Sequence, residues 1–143
     1  MVSRFLVFLQ FFIIFLMLLP VGAKTTHLYM GLAILVVGIV IGLLAIKEHK
    51  PGNFNIIPDI KEECELVTTG IYAFVRHPMY LSVILSMFGV SIMFFTPYEF
   101  VLLGVLVIVL NIKLLYEEHL WKCHSAAYAE YKRKTKRLIP FIY

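Results

Sequence analysis

Four long apolar runs dominate the chain, near residues 5–19, 28–46, 79–95 and 100–115. A helix needs about 20 apolar residues to cross a bilayer core, and the second run meets this requirement most clearly. The first run is shorter, and the small residues at 21–23 after it also fit a cleaved signal peptide. Because another long apolar run follows almost at once, we expect the first run to be retained. The pattern predicts an all-α, polytopic membrane bundle of about four spans.

The connections between these runs indicate how the helices are arranged. Thr96-Pro97 allows only a tight turn, so the third and fourth runs should form an antiparallel pair. Residues 47–78 make the longest polar connection, and long loops without regular structure are usually either functional or disordered. We interpret this one as a functional surface loop. The fourth helix should continue into a polar tail, where Ser125 is the candidate N-cap of a last helix, 126–137.

Gly38 and Gly42 form a G-x-x-x-G pattern in the second run. Such glycines let the backbone of a neighbouring helix approach closely. The alternative is that they are ordinary glycines of a membrane helix, so the pattern alone leaves the contact open.

Composition and charge agree with lipid as the solvent. The chain is 61% hydrophobic over 143 residues, which is more apolar side chain than a soluble domain of this length could bury. Of its 13 Lys and Arg residues, the four-span topology places all except Lys24 on one side of the membrane. The loop at 47–78 and the tail at 116–143 should therefore be cytoplasmic. Cys64 and Cys123 would then face a reducing compartment, so no disulfide is expected.

Polar side chains reach the edge of the third run in the stretch 66–82, LVTTGIYAFVRHPMYLS. Residues 68–70 are typical of a turn, and Pro78 suits the first turn of a new helix while it disfavours helix at His77. Arg76 and His77 should therefore lie at a helix N-terminus, whose free N–H groups and dipole favour anions. The alternative is a positively charged anchor at the lipid headgroups.

Two acidic residues, Glu117 and Glu118, follow the fourth run at the same membrane face. Carboxylates in this position are costly unless they are partnered, and they favour a cationic ligand. Local pairing with Lys113 and Lys122, each four residues away, explains them equally well on geometry alone.

Two further clusters carry weaker signals. His119, Cys123 and His124 offer two or three metal ligands without a clear fourth, so we expect no metal site. The basic cluster at 132–137 could bind nucleic acid, but beside a membrane we expect it to contact anionic lipid instead.

The residues at 66–72 and 76–80, LVTTGIY and RHPMY, resemble the signature of integral-membrane methyltransferases. These include isoprenylcysteine carboxyl methyltransferases and phospholipid N-methyltransferases. A second block resembles the C-terminal part of the same group: Glu117-Glu118, Tyr128, Tyr131 and the RLIP at 137–140. Two blocks in the right order are more specific than either alone. The resemblance runs from about residue 53 to the C-terminus, with Ser82 and Ser125 standing where glycine is expected.

The resemblance implies one membrane methyltransferase domain over residues 1–143, with S-adenosylmethionine as methyl donor. The acceptor would be lipophilic or lipid-linked, with a carboxylate, amine or thiol as its reacting group, and would enter from the bilayer. The implied catalytic residues are Arg76, His77 and Glu118. The implied cofactor-binding residues are His77, Pro78, Tyr80, Glu117, Glu118, Tyr128 and Tyr131.

Three alternatives remain open at this stage. The two tyrosines of the tail could belong to an interfacial aromatic belt. The whole protein could be a nicotinamide-dependent membrane reductase of related architecture, or a non-catalytic helical subunit or lipid-binding module.

Overall fold

The computed structural model describes residues 2–19, 25–49 and 65–139, and this part of the chain is helical apart from one isolated β-bridge. The helices are α1 Val2–Met17, α2 Leu28–Lys47, α3 Pro78–Phe94, α4 Pro97–His124 and α5 Ala127–Lys134, with a short 3-10 helix, Gly70–Ala73, before α3. The predicted all-α class is confirmed. The segment at 21–23, the middle of the loop at 47–78, Cys64 and Pro140 lie outside the described residues.

The number of membrane spans is supported only in part. Helices α2 and α4 are long and apolar enough to cross a membrane, whereas α1 and α3 are shorter apolar helices. The four expected spans therefore stay a prediction.

The N-termini of α3 and α4 form as the sequence predicts. His77 is the N-cap of α3 and Pro78 lies in its first turn. After α3, Phe95 adopts a left-handed conformation with φ of 46°. Thr96 then caps α4, where its hydroxyl accepts a hydrogen bond from the N–H of Glu99 at 3.3 Å. The tight turn between α3 and α4 is thereby confirmed, and the two helices pack against each other.

The predicted start and end of the last helix are wrong. Ser125 terminates α4, with its N–H donating to the carbonyl of Trp121 at 3.0 Å, and the N-cap of α5 is Ala126. Helix α5 also stops at Lys134, short of the predicted end at 137. The reason is that the following residues turn away to pair their backbone with the segment before α3, which a helical backbone could not do.

Helices α2 and α3 pack closely along the G-x-x-x-G pattern. A methyl group on Gly38 would lie 2.6 Å from Ser86 Oγ and 3.0 Å from the carbonyl oxygen of Ser82. Ser82 Oγ also donates a hydrogen bond to the carbonyl of Gly38 at 2.7 Å. Of the two interpretations that the pattern left open, the structure supports the close helix contact at Gly38 and Gly42. Serine at position 82, where glycine was expected, stabilises this contact through its hydroxyl.

A cluster of apolar side chains packs α1 against α3 and α4. Its buried members come from all three helices: Leu6, Ile13, Met17, Met87, Val90, Leu106, Val109 and Leu110. The outer faces are also apolar, and Phe8, Val36 and Val101 each expose more than half of their surface. Contiguous exposed apolar surface of this extent indicates contact with lipid or another protein.

Candidate active site

The tail after α5 pairs with the segment before α3 and builds the frame of the site. The N–H of Arg76 donates to the carbonyl of Lys136 at 2.7 Å, and the N–H of His77 donates to the carbonyl of Arg137 at 3.0 Å. Val75 and Lys136 form the isolated parallel bridge. These bonds fix the backbone of the Arg-His pair just before α3 begins, against residues some 60 positions later in the chain.

Arg76 is buried and makes a charge-assisted contact with Glu118. Its Nε and Nη2 atoms both lie 2.9 Å from Glu118 Oε1. Its Nη1 donates to the carbonyls of Lys132, at 3.2 Å, and Thr135. Only 8% of the Arg76 surface is exposed, whereas a headgroup anchor needs an exposed charge. The anchor interpretation of Arg76 therefore does not fit the structure.

Three cationic side chains from different parts of the chain lie close to the carboxylate of Glu118. Lys132 Nζ and Arg137 Nη2 lie 3.6 and 3.4 Å from Glu118 Oε2, and the Oε1 atom faces Arg76. Lys122, the expected local partner, is exposed. Sequence reasoning named neither Lys132 nor Arg137 as a site residue. Arg137 was noted only as part of the RLIP motif, and both belong to the basic cluster that was expected to contact lipid.

His77 connects the two glutamates. Its Nε2 atom lies 3.6 Å from Glu118 Oε1, and its Nδ1 atom lies 3.9 Å from Glu117 Oε2. The same Glu117 oxygen accepts a hydrogen bond from the Tyr80 hydroxyl at 2.7 Å. The rings of His77 and Tyr80 stack with centroids 5.5 Å apart. The Glu117 side chain remains 28% exposed, so it is the more accessible of the two carboxylates. Pro78 follows His77 and is buried at the start of α3.

The tyrosines of α5 face the same cluster. Tyr131 donates its hydroxyl to the carbonyl of Tyr72 at 2.7 Å, and Tyr128 packs between Trp121 and Tyr131. Both α5 tyrosines are buried, whereas residues of an interfacial belt face the headgroups. Burial raises the pKa of Tyr128, with Glu118 nearby adding to the effect, and burial also raises the pKa of Tyr131. Both phenols are therefore protonated donors at neutral pH.

Two buried polar atoms beside Glu118 have no hydrogen-bond partner among the described residues. They are the Tyr128 hydroxyl and His77 Nε2, which lies 3.6 Å from Glu118 Oε1, beyond the length of a hydrogen bond. Buried polar groups of native proteins are almost always hydrogen-bonded, so each exception calls for an explanation. A polar ligand between α3 and α5 would supply both partners.

The structure thus brings together all eight residues named from the sequence: Arg76, His77, Pro78, Tyr80, Glu117, Glu118, Tyr128 and Tyr131. Within the described ranges, no three His, Cys, Asp or Glu side chains converge as the ligands of a metal ion would. His119, Cys123 and His124 lie on the exposed side of α4.

A family model for phospholipid methyltransferases matches residues 26–126, about 70% of the chain. The chain belongs to the phospholipid methyltransferase family. This family is embedded in membranes, in agreement with the apolar outer faces of the helices. The match includes Arg76, His77 and both glutamates but ends before Tyr128. No individual curated protein matches the chain.

Proposed function

We propose that this member of the phospholipid methyltransferase family transfers a methyl group from S-adenosylmethionine to a lipophilic or lipid-linked acceptor at the cytoplasmic membrane face. The observation that carries the proposal is the pair of buried atoms near Glu118 that form no hydrogen bond among the described residues, His77 Nε2 and the Tyr128 hydroxyl. His77 belongs to the motif that precedes α3, and Tyr128 belongs to the last helix, α5.

The donor set fits the chemistry of the cofactor. S-adenosylmethionine presents a carboxylate and ribose hydroxyls, which would accept hydrogen bonds from the side chains of Tyr128 and His77. It also presents an ammonium and a sulfonium, which favour the accessible Glu117 carboxylate and the faces of aromatic rings. Glu118 is already engaged by Arg76 and two further cations. Its role in the proposal is to hold Arg76 and His77 in place.

The cofactor, when bound, supplies an electrophilic methyl group that is displaced directly, so no covalent enzyme intermediate is needed. The protein residues contribute alignment and exclusion of water. A carboxylate or thiolate acceptor requires no base. An amine acceptor must first lose its proton, and His77 or Glu117 would take it.

The cytoplasmic orientation rests on the distribution of positive charge in the sequence. Arg133, Lys134 and Lys136 remain exposed beside the site. They would contact anionic lipid headgroups at the same membrane face.

Calorimetric titration of the purified protein with S-adenosylmethionine and S-adenosylhomocysteine tests the proposal. Binding of both is expected, and it should be lost when His77 and Tyr128 are replaced together by alanine. Replacement of the exposed Lys122 by methionine should leave binding unchanged. Failure of the wild-type protein to bind either compound would reject the proposal, and binding of a nicotinamide cofactor instead would favour the reductase alternative.

A further inference from the structure

Lys113 is a buried cation in the apolar part of α4. Only 1% of its surface is exposed. Its Nζ atom donates a hydrogen bond to Gln10 Oε1 of α1 at 2.6 Å and lies 5.3 Å from the centre of the Tyr80 ring. Ionisable residues inside membrane helices are rare and costly, and they usually mark a functional site.

The partners of Lys113 do not neutralise its charge. Gln10 is a neutral amide, and the ring of Tyr80 offers only the weaker attraction of an aromatic face for a cation. Among the described residues, Lys113 forms no ion pair. Glu117, which lies one helical turn away, instead accepts the hydroxyl of Tyr80. An ammonium carries three donors, and Gln10 uses one of them. Glu117 attracts the ammonium from a distance, but no anion is in direct contact with it among the described residues.

The location of Lys113 relates it to the candidate active site. It precedes Glu117 by one turn of α4, and its ammonium lies over the ring of the same Tyr80 side chain whose hydroxyl reaches Glu117. It therefore lies on the side of the site that faces the membrane interior. A lipophilic acceptor would approach from this side, whereas the proposed cofactor site opens toward the tail.

We propose that Lys113 is an acceptor-binding residue whose ammonium pairs with an anionic oxygen group, a carboxylate or a phosphate, on the lipophilic acceptor. The proposal rests on the proposed function in assigning this ligand to the methyl acceptor. The ring of Tyr80 lies beside the ammonium, and the anion supplies the direct charge partner that Glu117 does not. The acceptor is then an anionic amphiphile rather than a neutral alcohol or hydrocarbon.

Competition binding with chain-matched amphiphiles tests this directly and does not depend on turnover. Tritiated dodecanoate is bound to the full-length protein in a non-ionic detergent and displaced by unlabelled dodecanoate, dodecyl phosphate or dodecanol. We expect at least one of the two anions to compete at a roughly tenfold to hundredfold lower concentration than dodecanol, as loss of a charge-assisted bond implies. Which anion competes better distinguishes a carboxylate acceptor from a phosphate-bearing one.

Three variants separate an anion site from a structural role. Lys113→Met should remove the preference for anions, and Lys113→Gln, which keeps a polar partner for Gln10, should do the same if the methionine variant does not fold. Gln10→Leu breaks the bond between α1 and α4 but keeps the ammonium, so it should retain most of the preference. Lys122→Met removes an exposed cation from the same helix and controls for general electrostatics.

Two results would overturn the inference: equal competition by all three amphiphiles in the wild type, or an undiminished anion preference in both Lys113 variants. The same preparations are titrated with S-adenosylmethionine. Cofactor binding without anion preference rejects the Lys113 site alone. Anion preference without cofactor binding rejects the proposed methyl transfer and leaves the anion site standing.

Discussion

Arg76 and Glu118 are 42 positions apart in the chain, and two nitrogen atoms of the arginine lie 2.9 Å from one oxygen of the glutamate in a buried contact. The pair links the segment before α3 to the cytoplasmic end predicted for α4. Because the remaining guanidinium nitrogen holds the carbonyls of Lys132 and Thr135, this one side chain connects three separate parts of the site.

Arg76→Lys tests whether this geometry, rather than the charge, matters. Lysine keeps the positive charge but lacks the planar fork of the guanidinium. We expect normal membrane insertion and a roughly tenfold to hundredfold loss of S-adenosylmethionine affinity, measured by calorimetry. The same substitution at the exposed Arg133 should have no effect. Wild-type affinity in Arg76→Lys would mean that the planar guanidinium is not needed for cofactor binding.

His77→Ala removes a side chain that lies between both glutamates. We expect the protein to insert normally, since Arg76 still carries the positive charge. Transfer of labelled methyl groups from S-adenosylmethionine into extracted lipid or small amphiphiles should fall by at least about a hundredfold, the lower limit for a positioned acid or base. His119→Ala, on the exposed side of α4, is the matched control. Equal rates in the two variants would mean that His77 takes no part in the reaction.

Glu117→Gln tests the accessible carboxylate. The amide keeps the shape and can still accept the hydroxyl of Tyr80, but it loses the negative charge that would meet the cationic groups of the cofactor. Cofactor affinity should fall by about 1.5–3 kcal/mol, or roughly tenfold to a hundredfold. Glu130→Gln removes an exposed carboxylate that pairs with Lys134 and should change nothing. If Glu117→Gln binds the cofactor as tightly as the wild type, the carboxylate serves only to hold Tyr80.

Gly38→Ala tests the contact between α2 and α3. The added methyl group would meet Ser86 Oγ at 2.6 Å, and overpacking of this kind costs about 1–3 kcal/mol of unfolding free energy. Gly104 of α4 has nothing within 4 Å of the same position, so Gly104→Ala should be neutral or stabilising by up to about 1 kcal/mol. Unfolding by sodium dodecyl sulfate in mixed micelles compares the two variants. Equal stability would contradict the close packing.

Thiol labelling tests the orientation. Cys123 is exposed at the end of α4, and the positive charges predict that it is cytoplasmic together with Cys64. A membrane-impermeant maleimide should label neither cysteine in intact cells and should label Cys123 after permeabilisation. A cysteine introduced at Thr25, on the opposite side, should react from outside. Labelling of Cys123 in intact cells would reverse the orientation and move the site to the other membrane face.

The polar ends of the helices were predictable because local chemistry controls them. Pro78 fixes the start of α3, and Thr96-Pro97 fixes the turn before α4, through steric and hydrogen-bonding preferences within a few residues. The same local reasoning failed at Ser125. After α5 the backbone forms hydrogen bonds with the segment before α3, and no pattern within the tail indicates that distant partner.

The residues of the site also divide into those that the sequence predicted and those that only the structure revealed. The resemblance to membrane methyltransferases, rather than spacing alone, indicated that the Arg-His pair and the two glutamates belong to one site. The partners of those residues were decided only by the tertiary structure. Lys132 and Arg137 turn inward to Glu118, while their neighbours in the same basic cluster stay exposed. A sequence gives each of these side chains the same charge, but only the fold determines which of them reaches a buried carboxylate.

Lys113 makes the distinction clearest. In the sequence it is a cation four residues before Glu117 and suggests a local ion pair. In the folded chain it turns to Gln10, 103 positions away, because α1 packs against the face of α4 that carries Lys113. The sequence by itself determined the all-α class, the apolar helices and the location of the polar motif, since these follow from hydrophobicity and local backbone preference. The pairing of charges required the tertiary structure, because electrostatic partners depend on distances through space that chain spacing does not encode.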